Sequence, residues 1–121
     1  MTLSTNDGDI EVENIATTNS ISVATNDGDI DITNLRAPNG KINTNDGDIN
    51  INKLISKNGF KVNTDDGDIK VSNSSFTGYR LDTSDGDIKV KDSSSSSTFI
   101  ENKNSSNVLI ASTQDGDIKI K

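Results

Sequence analysis

The chain has 121 residues and a mass of 12.9 kDa, enough for one domain and too little for two independent hydrophobic cores. With no Cys and no His it forms no disulfide, no zinc site of the usual ligands, no thiol nucleophile and no Ser-His-Asp triad. Nineteen acids against twelve bases leave a net charge of -7 without a basic stripe, which argues against nucleic acid as a partner.

The charge is also unevenly placed. Residues 1–34 carry seven acids and no base, and residues 35–121 carry twelve of each. Asp outnumbers Glu sixteen to three, and 44 residues are Asn, Ser or Thr, a composition suited to turns and strands rather than helix interiors. Leu, Ile, Val and Phe total 29 residues, enough for a thin core. No apolar run approaches the roughly 18 to 20 residues of a membrane span, and Met1-Thr2-Leu3-Ser4 lacks the basic and apolar regions of a signal peptide.

Along the chain, Asp-Gly-Asp-Ile begins at Asp7, Asp27, Asp46, Asp66, Asp85 and Asp115, at spacings of 20, 19, 20, 19 and 30 residues. A period near 20 marks a repeat architecture. Each motif follows an apolar residue four positions before it (Leu3, Val23, Ile42, Val62, Leu81, Ala111) and a Thr two before it (Thr5, Thr25, Thr44, Thr64, Thr83, Thr113). It continues into Ile at the third position after its first Asp and into Val or Ile at the fifth. Apolar and polar residues therefore alternate on both sides of the motif, the pattern of half-buried strands. Each repeat reads as strand, corner, strand, with the motif Gly expected to supply a positive φ at the corner. Gly40, Gly59 and Gly78 mark a second corner in the middle repeats.

Between Asp85 and Asp115 the repeat swells by about ten residues, including Ser93 to Ser97, Thr98 and the polar run Glu101 to Asn107. This predicts a loop extruded from one coil and pinned by Phe99 and Ile100. Neither terminus carries a polar capping segment, so residues 1–121 read as a single β-solenoid repeat domain that is a fragment of a longer protein and can associate end to end.

An all-β, right-handed parallel β-solenoid (β-helix) of about six 19–20-residue coils accounts for the unvarying Thr and Ile, because each then stacks on its own copy. Six coils make a rod of about 30 Å. A meander of hairpins is the alternative. In a solenoid the Asp residues form two adjacent columns, held by backbone amides as corner chemistry or, in the rival reading, by calcium. Six copies of one carboxylate pair do not supply the unlike acid and base of a glycoside hydrolase. No catalytic, metal or cofactor residue is therefore assigned. The Thr column reads as an inward hydroxyl ladder, and Phe60 and Tyr79 as buried. On the outer face, Glu11, Asp31, Asn50, Lys70, Lys89 and Lys119 change sign along the rod, with Lys41, Lys61 and Arg80 as a second basic row. Lys there offsets the Asp columns and blunts edges, or forms an acidic-to-basic docking gradient.

The unit Asn/Asp-Gly-Asp-Ile-x-Val/Ile at 19 to 20 residues, preceded by Asn-Gly and a short Val/Ile strand, resembles the bacterial adhesin-type domain of unknown function found in cell-envelope proteins of the Lia envelope-stress type. The resemblance implies a β-solenoid at the bacterial cell surface or outside the cell, with no active site to carry over. The function expected is a non-enzymatic structural or adhesive surface module that shows a rigid polar face to an unidentified protein or glycan partner. A calcium-stabilised repeat module and a polysaccharide-acting enzyme on a β-helix are its rivals.

Overall fold

The computed structural model describes residues 1–91, 93–102 and 104–121. Strands β1 (Thr2–Asp7), β3 (Ile21–Asp27), β5 (Gly40–Asn43), β7 (Phe60–Asn63), β9 (Gly78–Asp85) and β13 (Val108–Asp115) precede the six motifs. Strands β2 (Ile10–Ala16), β4 (Ile30–Arg36), β6 (Ile49–Ile55), β8 (Ile69–Ser74), β10 (Ile88–Val90) and β14 (Ile118–Ile120) follow them. The insertion adds β11 (Ser93–Ser95) and β12 (Thr98–Glu101). The described residues contain no helix.

The two sets form two seven-stranded sheets, which we call A (β1-β3-β5-β7-β13-β9-β12) and B (β11-β10-β14-β8-β6-β4-β2). Pairing between repeats is parallel and in register, as in Val23 with Ile42 and Ile30 with Ile49. This is an all-β parallel solenoid and not a meander of hairpins. Its core lies between the sheets. The alternating apolar residues of both flanks meet there, and Val23, Ile30, Ile42, Ile49, Val62, Ile69, Leu81, Ile88 and Ile118 are fully buried. Each such side chain stabilises the fold by roughly 1.5 to 3 kcal/mol. Phe60 and Tyr79 are buried as expected, and Phe60 meets Phe76 edge to face at 6.4 Å.

The order of the coils departs from chain order. In both sheets the sixth repeat, β13 and β14, lies between the fourth and the fifth. Ser75–Thr77 carries the chain past the layer that β13 and β14 occupy, and three extended residues span about 10 Å, matching two layers of roughly 4.8 Å. The insertion leaves the fifth repeat as expected but carries two short strands. β11 runs antiparallel to β10 and β12 antiparallel to β9, closing the edges of the fifth repeat at that end of both sheets. The expectation of two uncapped ends is thus corrected at one end, because the chain's own insertion covers it. After this excursion the last repeat pairs on both sides, β13 with β7 and β9 and β14 with β8 and β10. Phe99 packs on the core beside Leu81, whereas Ile100 is 51% exposed and pins nothing. Lys103, in the polar run, lies outside the described residues.

A further bend is absent from the sequence reading. Asn14, Asn34, Lys53 and Asn73, seven positions after the motif's first Asp, have φ of 52 to 68°. Asn tolerates this left-handed conformation better than most residues. The bend lets two consecutive residues face outward and turns the next one inward, so Leu35 and Leu54 are fully buried.

Candidate functional site

At the corner, the first Asp of each motif pairs with its equivalent in the next layer, in the order Asp7, Asp27, Asp46, Asp66, Asp115, Asp85. The row is exposed to solvent. Loss of hydration, followed by the charges of Asp46 and Asp7, raises the Asp27 carboxyl above the usual range. Asp66 is raised first by its hydrogen bond with Asp115, then by lost hydration and by the charges of Asp115 and Asp46.

The second Asp of the motif has a different task. Asp9 Oδ1 accepts the backbone N–H of Asp29 at 2.9 Å, and the same bond recurs from Asp48 to Asp29, Asp68 to Asp48, Asp117 to Asp68 and Asp87 to Asp117. These are charge-assisted bonds from the backbone amides of the neighbouring coil's corner. No group of three or more Asp and Glu among the described residues is placed to hold a metal ion.

The Thr row points inward. Thr44 Oγ1 donates to the Gly28 carbonyl at 3.0 Å, Thr64 to Gly47 at 3.0 Å, Thr113 to Gly67 at 2.9 Å and Thr83 to Gly116 at 2.9 Å. All four threonines are buried, so they form the expected hydroxyl ladder. The motif glycines need correction. Only Gly8 among the six has a positive φ, at 139°. At Gly28, Gly47, Gly67, Gly116 and Gly86 an added Cβ would lie under 3.0 Å from the carbonyl oxygen of the neighbouring coil's glycine. These positions are glycine because backbones stack there without room for a side chain.

With the corners occupied in stacking the coils, the free chemistry lies on the outer faces. On sheet B, the outward column in spatial order is Glu11, Asp31, Asn50, Lys70, Lys119, Lys89. Beside it Glu13, Thr33, Asn52 and Ser72 continue toward Lys121. Three carboxylates thus occupy one end of the face and four ammonium groups the other, about a shallow groove of about 410 Å³. Glu11 is raised above the usual carboxylate range, first by its hydrogen bond with Glu13, then by the charges of Glu13 and Asp31. The sequence showed the first column. It missed Glu13 and Lys121, which lie two positions further along the same outward phase.

On sheet A, Lys41 pairs with Lys61, but Ile110 separates Lys61 from Arg80. The row that the sequence joined into one basic line is therefore broken by an apolar residue that is 37% exposed.

These features define a parallel β-solenoid repeat module whose motif residues hold its own coils together. The chain belongs to the Toastrack DUF4097 family, a β-solenoid-like domain of unknown function, which it matches over residues 1–121. No curated protein and no solved structure matches it.

Proposed function

We propose that the chain is a non-enzymatic structural or adhesive module of a bacterial cell envelope, presenting the outer face of sheet B to a partner outside the cell. The observation that carries this reading is the sorting of charge on that face. Glu11 and Asp31 stand at one end, Lys119 and Lys89 at the other, on strands whose register fixes every side chain. A rigid sheet with ordered charges holds its recognition groups in place before binding, so little side-chain or loop order is lost on contact. An enzymatic role draws no support from the Asp pairs, which recur in equivalent surroundings and bond backbone amides.

The test is cosedimentation of the purified chain with washed bacterial envelopes. Retention is expected at low salt, lost at high salt and lost in Lys89→Glu/Lys119→Glu, whose thermal melt should match wild type because these side chains lie outside the core. Failure to cosediment, or equal retention of the variant, would overturn the reading.

A further inference from the structure

The face of sheet B carries an electrostatic conflict within a single copy. Glu11 sits directly opposite Asp31, and Lys70, Lys119 and Lys89 sit opposite one another in three consecutive layers. Like charges facing across a parallel pair repel, so both ends of the face are unfavourable alone. A uniformly acidic or basic ligand relieves one end and aggravates the other. The complement needed has reversed polarity along the axis at the same layer spacing.

A second copy rotated by 180° about an axis lying in the plane of the contact, parallel to the strands, meets that requirement. With the two-fold between the third and fourth layers, Glu11 meets Lys89, Asp31 meets Lys119 and Asn50 meets Lys70. The layers match automatically, because both copies have the same spacing of about 4.8 Å. At the centre Asn50, Asn52 and Ser72 are uncharged, so no like charges meet on the axis. Beyond the basic end, Ser94 of β11 lies beside Lys89 and leaves short side chains at the rim. We propose that this face is an isologous, antiparallel contact between two copies of this chain. The inference rests on the functional reading above and names its partner, which makes the adhesion homophilic.

Six layers by about four residues of strand give roughly 400 Å² per copy, against about 800 Å² in a stable complex. The contact is therefore weak, cooperative with high local density, and governed by salt.

Sedimentation velocity on the intact chain tests it at about 0.01 M and about 1 M salt, where the Debye length is about 30 Å and about 3 Å. A concentration-dependent dimer is expected at low salt, at least tenfold weaker at high salt. Lys89→Glu/Lys119→Glu and Glu11→Lys/Asp31→Lys should each be monomeric with wild-type melts. Joining all four substitutions reverses the gradient, keeps the net charge at -7 and should restore the dimer. A wild-type chain that stays monomeric at low salt overturns the proposal. So does a dimer that survives either double substitution, which places association at the open edges of β1 and β2, or a fourfold variant that stays monomeric. A monomeric chain that still cosediments with envelopes refutes the homophilic contact and leaves the functional reading standing.

Discussion

Asp66 pairs in parallel with Asp115, and Asp115 in turn with Asp85, so the last repeat of the chain lies between its fourth and fifth. The C-terminal strands are therefore interior. Leu109 pairs with Phe60 on one side and Tyr79 on the other and is fully buried, whereas Leu3 lies on an edge strand and is only partly buried. Leu109→Ala should cost about 2 to 5 kcal/mol by denaturant unfolding, and Leu3→Ala distinctly less. Equal costs would contradict the interleaved order.

The glycine row separates two reasons for using glycine. Gly67 has no positive φ, yet a Cβ there would press on the Gly47 backbone, while Gly8 has φ of 139° and open space around it. Gly67→Ala should force coils apart and cost about 3 kcal/mol or more. Gly8→Ala should cost about 1 kcal/mol, through backbone strain alone. Thermal melts of the two variants decide whether close stacking or turn conformation dominates.

Parallel pairing, the buried Val/Ile rows and the Thr ladder were legible because each follows from period-2 alternation repeated six times at one spacing. The same regularity concealed the coil order. In-register stacking of Asp85 on Asp66 and of Asp115 on Asp66 look alike in sequence, and only the path of the insertion decides between them. The bend at Asn14, Asn34, Lys53 and Asn73 had a signal in Leu35 and Leu54, apolar residues out of phase with the preceding alternation. At the candidate face, the Glu11-to-Lys89 gradient could be read directly, but its second column required knowing that the strands continue outward to Glu13 and Lys121.

Asn107 joins layers that the chain itself leaves apart. Its Nδ2 donates to the carbonyls of Ser56 at 2.9 Å and Ser75 at 3.0 Å, and the residue is buried. Asn107→Ala should leave both carbonyls without that donor and cost about 1 to 3 kcal/mol. Asn107→Asp should cost more at neutral pH, since a carboxylate would then face two carbonyl oxygens. Denaturant curves on both variants, with Asn104→Ala as an exposed control, check the ordering.

Acid should stabilise the corner row. Asp27 and Asp66 are raised above the usual carboxylate range, so the folded state binds their protons more tightly than the unfolded state does. Their contribution is unfavourable at neutral pH and is relieved as pH falls through the raised folded values toward the unfolded value. The melting midpoint should rise as pH is lowered from neutral toward the ordinary carboxylate value of about 4. Asp27→Asn/Asp66→Asn should flatten that dependence and raise the neutral midpoint. A wild-type midpoint that falls over this window, or a double variant with an unchanged slope, would contradict it.

Calcium should act on this row only as a generic divalent cation. It favours six to eight oxygen ligands at about 2.3 to 2.6 Å. The second Asp row already accepts backbone N–H groups between coils, and the first row offers one carboxylate per layer at about 4.8 Å. An ion between two layers would meet two carboxylates and draw its remaining ligands from water. Equal concentrations of calcium and magnesium should therefore shift the melting midpoint alike, and chelator should return it to the salt-matched value. A rise of several degrees specific to calcium, removed by Asp66→Asn/Asp68→Asn, would instead establish a folded-state calcium site, because a ligand that binds only the folded chain stabilises it by mass action.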